Sequence, residues 1–319
     1  MRTIILFLTV SSFTAGCIKE IPLNLEGDTE DLLINIPAIT ALINLEKKDT
    51  VYLDYTYGIN NVVDHSTNTS AIIEISNNND NSLGFLNSLN NGRYLIPNNI
   101  KLSTNETYNL KVFQNDNTVI AATFTIPPKV TPKDIFTVYT PSPSGNDTRS
   151  FEFVFKDDES LKNFYEVAFL SVSYYKIRDT SSINIMSWPS IPDLVLDNEG
   201  DLGNEPSTFV FSDDLFNGET YHFNITMENT AGDLKEVNGK FMNGSGRYLA
   251  FRTISEDYYL FKKSLAKHRA NQVIASYAIN DIDLSIIFPG EPSELYTNVN
   301  GGYGIVAGYQ EVIIPFKEK

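Results

Sequence analysis

Thr107-Tyr108-Asn109-Leu110-Lys111-Val112 and Val119-Ile120-Ala121-Ala122-Thr123-Phe124-Thr125-Ile126 flank the turn-forming run Gln114-Asn115-Asp116-Asn117. Both flanks are rich in β-branched and aromatic residues. A short Asn/Asp-rich break between them reads as a hairpin. The same signal repeats upstream. Thr50-Val51-Tyr52-Leu53-Asp54-Tyr55-Thr56-Tyr57 is one run, and Ala71-Ile72-Ile73-Glu74-Ile75 is another that enters the turn Asn77-Asn78-Asn79-Asp80-Asn81. Asn91-Gly92 marks a further turn before Arg93-Tyr94-Leu95-Ile96-Pro97. Strands with turn signals about every ten residues predict a β-sandwich of immunoglobulin or fibronectin type over residues 32–128. Pro127-Pro128 closes it.

Residues 129–319 continue in strand periodicity. Asp134–Tyr139, Ser150–Phe155, Phe164–Tyr175, Thr220–Met227 and Glu311–Phe316 are the main runs, and Ser150–Phe155 alternates cleanly. One stretch departs from it. Thr253-Ile254-Ser255-Glu256 has a capping-box pattern, and Tyr258, Phe261 and Leu265 follow on one helical face. A helix is expected at about 255–270. The fold class is therefore all-β: an N-terminal sandwich, then a larger sandwich-like β domain carrying one α-helix.

Ahead of the first sandwich, residues 1–16 read as a removed export signal. Arg2 gives a positive start, and Thr3 to Val10 form an apolar run too short to span a bilayer. The run ends in Thr14-Ala15-Gly16-Cys17, and Cys17 is the single cysteine of the chain. Small residues before cysteine suit a lipoprotein signal peptidase, so Cys17 is expected to carry the lipid anchor. Several acyl chains anchor stably at roughly 0.8 kcal/mol per buried methylene. Residues 17–31, polar and acidic, then read as lipidated cysteine and tether. With Cys17 so used, no disulfide is expected.

The 319-residue chain has 40 acidic against 24 basic residues, a formal charge of −16. That balance disfavours nucleic acid or anionic lipid as a partner, because both need basic patches. The 17 Tyr and 20 Phe beside 4 Met and a single Trp suit sheets.

Motifs for chemistry are sparse. Gly302, Gly304 and Gly308 lack the spacing and βαβ frame of a nucleotide loop, and read as turn and close-packing glycines. His65, His222 and His268 are scattered, without metal-ligand spacing. Gly244-Ser245-Gly246 lacks the strand–turn–helix frame of a serine nucleophile. Asp197, Glu199 and Asp201 alternate carboxylates in a loop, a weak calcium candidate whose plainer reading is a solvated loop. Asp213-Asp214 read as a turn or cap pair. Trp188, with Tyr296, Asn298 and Tyr303 near the end, are candidate contacts for a ligand or partner. No cofactor and no enzyme activity are expected.

Two stretches carry a family resemblance. Arg252 to Leu265, RTISEDYYLFKKSL, and Glu291 to Ile305, EPSELYTNVNGGYGI, resemble the signature of a lipoprotein family of Bacteroidetes known as a domain of unknown function. Weaker echoes are NGRYLIP and FSDDLFNGETY. Pro289-Gly290 and Val306-Ala307 depart from its pattern. The resemblance implies an outer-membrane lipoprotein that serves as accessory to a TonB-dependent uptake receptor, and the charged pair Lys19-Glu20 just after Cys17 leans toward the cell surface. It implies no catalytic residues. The alternative is a structural or adhesive surface protein.

Overall fold

Thr107–Gln114 and Asn117–Thr125 form the expected hairpin, paired from Thr107 opposite Thr125 to Gln114 opposite Asn117. The structure is a computed structural model. It describes residues 36–47, 50–56, 71–114, 117–143, 147–175, 180–185, 192–199, 208–228, 246–273, 278–279, 282–283 and 293–319. In chain order the first strands are β1 (Pro37–Ile43), β2 (Thr50–Tyr55), β3 (Ile72–Asn77) and β4 (Ser82–Phe85). They are followed by β5 (Asn87–Ser88), β6 (Arg93–Leu95), β7 (Thr107–Gln114) and β8 (Asn117–Thr125). Next come β9 (Lys133–Thr140), β10 (Thr148–Lys156), β11 (Phe164–Tyr175) and β12 (Thr180–Ile185). Helix α1 (Leu194–Glu199) precedes β13 (Phe209–Ser212), β14 (Thr220–Glu228) and β15 (Gly246–Ile254). Helix α2 (Glu256–Val273) is followed by β16 (Ala278–Ile279), β17 (Ile282–Asp283), β18 (Val299–Asn300), β19 (Tyr303–Pro315) and β20 (Lys317–Glu318).

The described chain is thus all-β with two helices. A five-stranded sheet runs β18-β8-β7-β3-β4, and a four-stranded one runs β14-β10-β9-β20. Both pack against one nine-stranded sheet, β12-β11-β15-β19-β1-β2-β6-β5, with β13 also paired to β11. This large sheet belongs to both halves of the molecule. Its β1, β2 and β6 face the five-stranded sheet, closing a core of Ile39, Ile43, Val51, Tyr94, Leu110, Ile120 and Phe124 among others. Its β11, β13 and β15 face the four-stranded sheet across a core dominated by phenylalanine, including Phe151, Phe153, Phe155, Phe211, Phe223 and Phe251. Phe153 stacks on Phe223 with ring centroids 4.7 Å apart. The clean alternation read at 150–155 places these rings: inward residues of β10 are buried and outward ones half-exposed.

β19 joins the two sandwiches. Its first half pairs in parallel with β1, from Tyr303 opposite Ala38 to Gly308 opposite Ile43. Its second half pairs antiparallel with β15, from Tyr309 opposite Ile254 to Pro315 opposite Tyr248. The first sandwich therefore includes a strand from the far end of the chain, as well as β18, which pairs with β8. Residues 32–128 by themselves lack that strand.

Close approach explains the glycines here. Gly304 has φ +118, and a Cβ built on it would lie 1.8 Å from the carbonyl oxygen of Ile39. A Cβ on Gly308 would lie 2.2 Å from the carbonyl oxygen of Thr125, where the five-stranded sheet packs onto β19. Gly304→Ala is expected to lower unfolding stability by about 3 kcal/mol, through backbone strain plus a steric clash in a packed core. Urea denaturation of the purified protein measures this. A loss below about 0.5 kcal/mol, the range of ordinary surface changes, would contradict the tight β1–β19 contact.

Candidate functional site

Three strands side by side in the large sheet each place a charged residue among apolar and aromatic neighbours: Glu166 on β11, Arg252 on β15 and Glu311 on β19. The register places Glu166 opposite Arg252, and Arg252 opposite Glu311. All three side chains leave the sheet on the face away from the phenylalanine core. Helix α2 lies over them and packs Tyr258 beside Ile254, Ile305 and Ala307.

The row is fully interlocked. Arg252 Nη1 is 2.5 Å from Glu166 Oε2, and its Nε donates to Glu311 Oε1 at 2.7 Å. From the helix, the Tyr258 hydroxyl donates to Glu166 Oε2 at 3.1 Å. Lys262 Nζ lies 3.3 Å from Glu166 Oε1 and donates to Thr208 Oγ1. From the first sandwich, Lys47 pairs with Glu311 Oε2. Arg252 also stands over the Tyr309 ring, 5.5 Å from its centroid. Two carboxylates, an arginine and two lysines thus meet beneath one helix, at the seam between the sandwiches.

Burial pushes the Glu166 carboxyl up, but the charges of Arg252 and Lys262, with hydrogen bonds from Arg252 and Tyr258, outweigh it and leave it lowered. Glu311 follows the same pattern: burial raises it, and the Lys47 hydrogen bond and Arg252 bring it below its usual value. Tyr258 moves the other way, raised by burial and by the neighbouring Glu166. Both carboxylates are held ionised by protein partners, and the buried Glu166 Oε1 faces Lys262 without a hydrogen bond.

The residues singled out in the sequence are placed as follows. The Tyr296 hydroxyl donates to Asp257 Oδ1 at 2.6 Å, and its amide donates to Ser264 Oγ, so Tyr296 binds the loop 293–298 to α2. Asn298 acts as a false rung of sheet. Its Nδ2 donates to the carbonyls of Thr123 and Val306, and its Oδ1 accepts from the Val306 amide. It thereby links β8 to β19. Tyr303 is exposed at the start of β19. Asp197 and Glu199 lie on α1, not in a loop, because Val195 and Leu196 supply a buried apolar face. Glu199 accepts from the Ser212 amide and the Tyr259 hydroxyl, and it pairs with Lys263 at 2.7 Å. The Asp213 carbonyl accepts the Phe216 amide in a turn, and its side chain accepts the Asn163 amide from a distant segment. Among the described residues no group of three His, Cys, Asp or Glu could hold a metal ion. His222 is exposed on β14, and His268 Nδ1 lies 2.7 Å from the Ser293 carbonyl. Cys17, His65, Trp188 and Asp201 lie outside the described residues.

Sequence reasoning passed over the Glu166–Arg252–Glu311 row. A usable signal was present: a single charge inside each of Tyr165-Glu166-Val167, Phe251-Arg252-Thr253 and Gln310-Glu311-Val312. Charges in such runs are buried only when paired.

Two outcomes follow. Arg252→Met leaves Glu166 and Glu311 close together without their shared cation. The expected loss is about 3–5 kcal/mol, the usual result of breaking a buried ion pair from one side. Because both carboxyls have lowered folded values, their contribution is complete above the ordinary glutamate value of 4.5 and is lost as pH falls below it. Chemical denaturation between pH 7 and pH 3 should show that loss in the wild type and a shallower one in Arg252→Met. Parallel curves would contradict the assignment.

No curated protein matches the chain. Among solved structures, collagen adhesin from S. aureus aligns over 88% of this chain and 93% of its own, at 9% identity and a TM-score of 0.19. An alignment that loose carries no argument about fold or role. The model of the family described as "Domain of unknown function (DUF4249)" matches residues 18–313, nearly all of the chain after Cys17, and the chain belongs to that family.

Proposed function

We propose that this protein is a non-enzymatic lipoprotein, anchored in the outer membrane through Cys17 and facing the cell surface. In this reading it is an accessory, ligand-capturing partner of a TonB-dependent uptake receptor in a member of the Bacteroidetes. The observation that carries the non-enzymatic part is the buried charge row. This concentrated group of ionisable side chains among the described residues is engaged by protein partners at the seam between the two sandwiches. Anchoring is supported by the apolar run ending in Ala15-Gly16-Cys17. No described helix is long and apolar enough to cross a membrane, so attachment is assigned to lipid. The receptor partnership rests on the resemblance of Arg252–Leu265 and Glu291–Ile305 to the family signature.

Detergent extraction of the tagged protein, affinity capture and mass spectrometry test this reading. One TonB-dependent receptor should be recovered with the wild type and lost with Cys17→Ala, which releases the protein from the membrane. Intact, membrane-bound protein that brings down no receptor would overturn the partnership and favour a free-standing structural or adhesive surface protein.

A further inference from the structure

A cleft of about 440 Å³ opens in the first sandwich, beside the seam with the second. That volume falls within the range of small-molecule sites, roughly 300–1,000 Å³. One wall is the loop 44–47 that follows β1, and the other is the segment 96–102 that follows β6. Neither wall is loose. The buried Asn44 side chain accepts the Glu46 amide at 2.8 Å and fixes the first loop. Two ion pairs then clasp that loop to the second sandwich: Lys47 with Glu311, and Lys129 with both oxygens of Glu46, at 2.7 and 2.8 Å. The second wall turns at Pro97, whose carbonyl accepts the Ile100 amide.

The lining has two characters. Ile96, Pro97 and Leu102 give an apolar side, while Asn98, Lys47 and Lys101 give hydrogen-bond donors and positive charge. The carboxylate in the lining, Glu46, is neutralised by Lys129. Lys101 is exposed, and among the described residues no carboxylate pairs with it. In a chain of net charge −16, this is a local excess of cation beside an apolar wall. A lysine ammonium is a point charge that suits a small anion without fixing its geometry.

We propose that this cleft is a binding site for a small organic carboxylate, its charged end at Lys101 and Asn98 and its carbon skeleton on Ile96, Pro97 and Leu102. The assignment does not depend on a receptor partner, so it stands or falls separately from the capture experiment above. Its test is isothermal titration of the whole mature chain with four carboxylates of different skeleton, namely hexanoate, benzoate, glutamate and glucuronate. Each is paired with its neutral primary amide, and inorganic phosphate is included as a bare anion. At least one acid is expected to bind saturably, its amide about tenfold more weakly, and phosphate not at all. Lys101→Glu should weaken that acid about tenfold or more, while Lys267→Glu, the same charge change on exposed α2, leaves it unaltered. Thermal unfolding should be equal for both variants. Absence of binding by every acid, equal binding of acid and amide, phosphate binding as tightly as the acid, or equal weakening by both variants would each overturn the site.

Discussion

The double pairing of β19 is the constraint on which the rest of the structure depends. One thirteen-residue strand completes the sheet of the first sandwich on β1 and that of the second on β15. Its even-numbered side chains serve two separate cores on one face, Val306 in the first and Val312 and Ile314 in the second. Its odd-numbered side chains Ile305, Ala307 and Tyr309 face α2. Along its buried stretch Ile305 to Gly308 the strand has no room for extra volume, and glycine stands where backbone carbonyls approach most closely. The continuity of β19 makes the seam a stiff joint, because moving one sandwich against the other would break main-chain hydrogen bonds, not merely surface contacts.

The charge row has to be understood within that joint. A buried ion pair contributes little net stability compared with apolar residues of the same volume, since desolvation offsets attraction. Its better-supported role is to select one arrangement. Slipping β15 by one residue against β11 or β19 would turn Arg252 into the phenylalanine core and leave both glutamates uncompensated. Lys47 extends the selection to the first sandwich, and Lys262 and Tyr258 extend it to α2. The helix is covered on more than its sheet side: loop 293–298 holds it through Tyr296 and through His268 beside Ser293. Lys263 and Tyr259 reach α1 at Glu199. Such a helix shows only a weak apolar stripe, yet its capping signal and aromatic spacing still located it. The observed span Glu256–Val273 runs one turn beyond the expected end.

What could be read from the sequence was what local chemistry decides. The β7–β8 hairpin, the alternation of β10 and the start of α2 each depend on residues close in the chain, so turn type and periodicity suffice. The parallel partnership of β1 and β19 could not be read that way. Its partners lie at opposite ends of the chain, and the buried run Ile305-Val306-Ala307-Gly308 has no alternation to show which face is inward. Asn298 and Tyr296 looked like recognition residues because polar and aromatic groups in a glycine-rich stretch often are. Both instead satisfy backbone and side-chain partners within the fold. The acidic stretch after Leu194 read as a loop because its carboxylates dominated the composition. The buried pair Val195 and Leu196, with the Asp193 side chain accepting the Val195 amide, made its first part a helix with an N-cap.

The course of β1 orders the two ends of the first sandwich. The chain enters β1 at Pro37 and leaves it at Asn44, about 23 Å further on at roughly 3.3 Å per residue. The exposed Tyr303 and the turn before it share the entry end, since Tyr303 pairs with Ala38. The cleft shares the exit end. Capturing a ligand beside a stiff seam has a physical advantage over capture at loop tips. The walls are already ordered by the Glu46–Lys129 and Lys47–Glu311 pairs, so little conformational entropy is lost when the ligand binds.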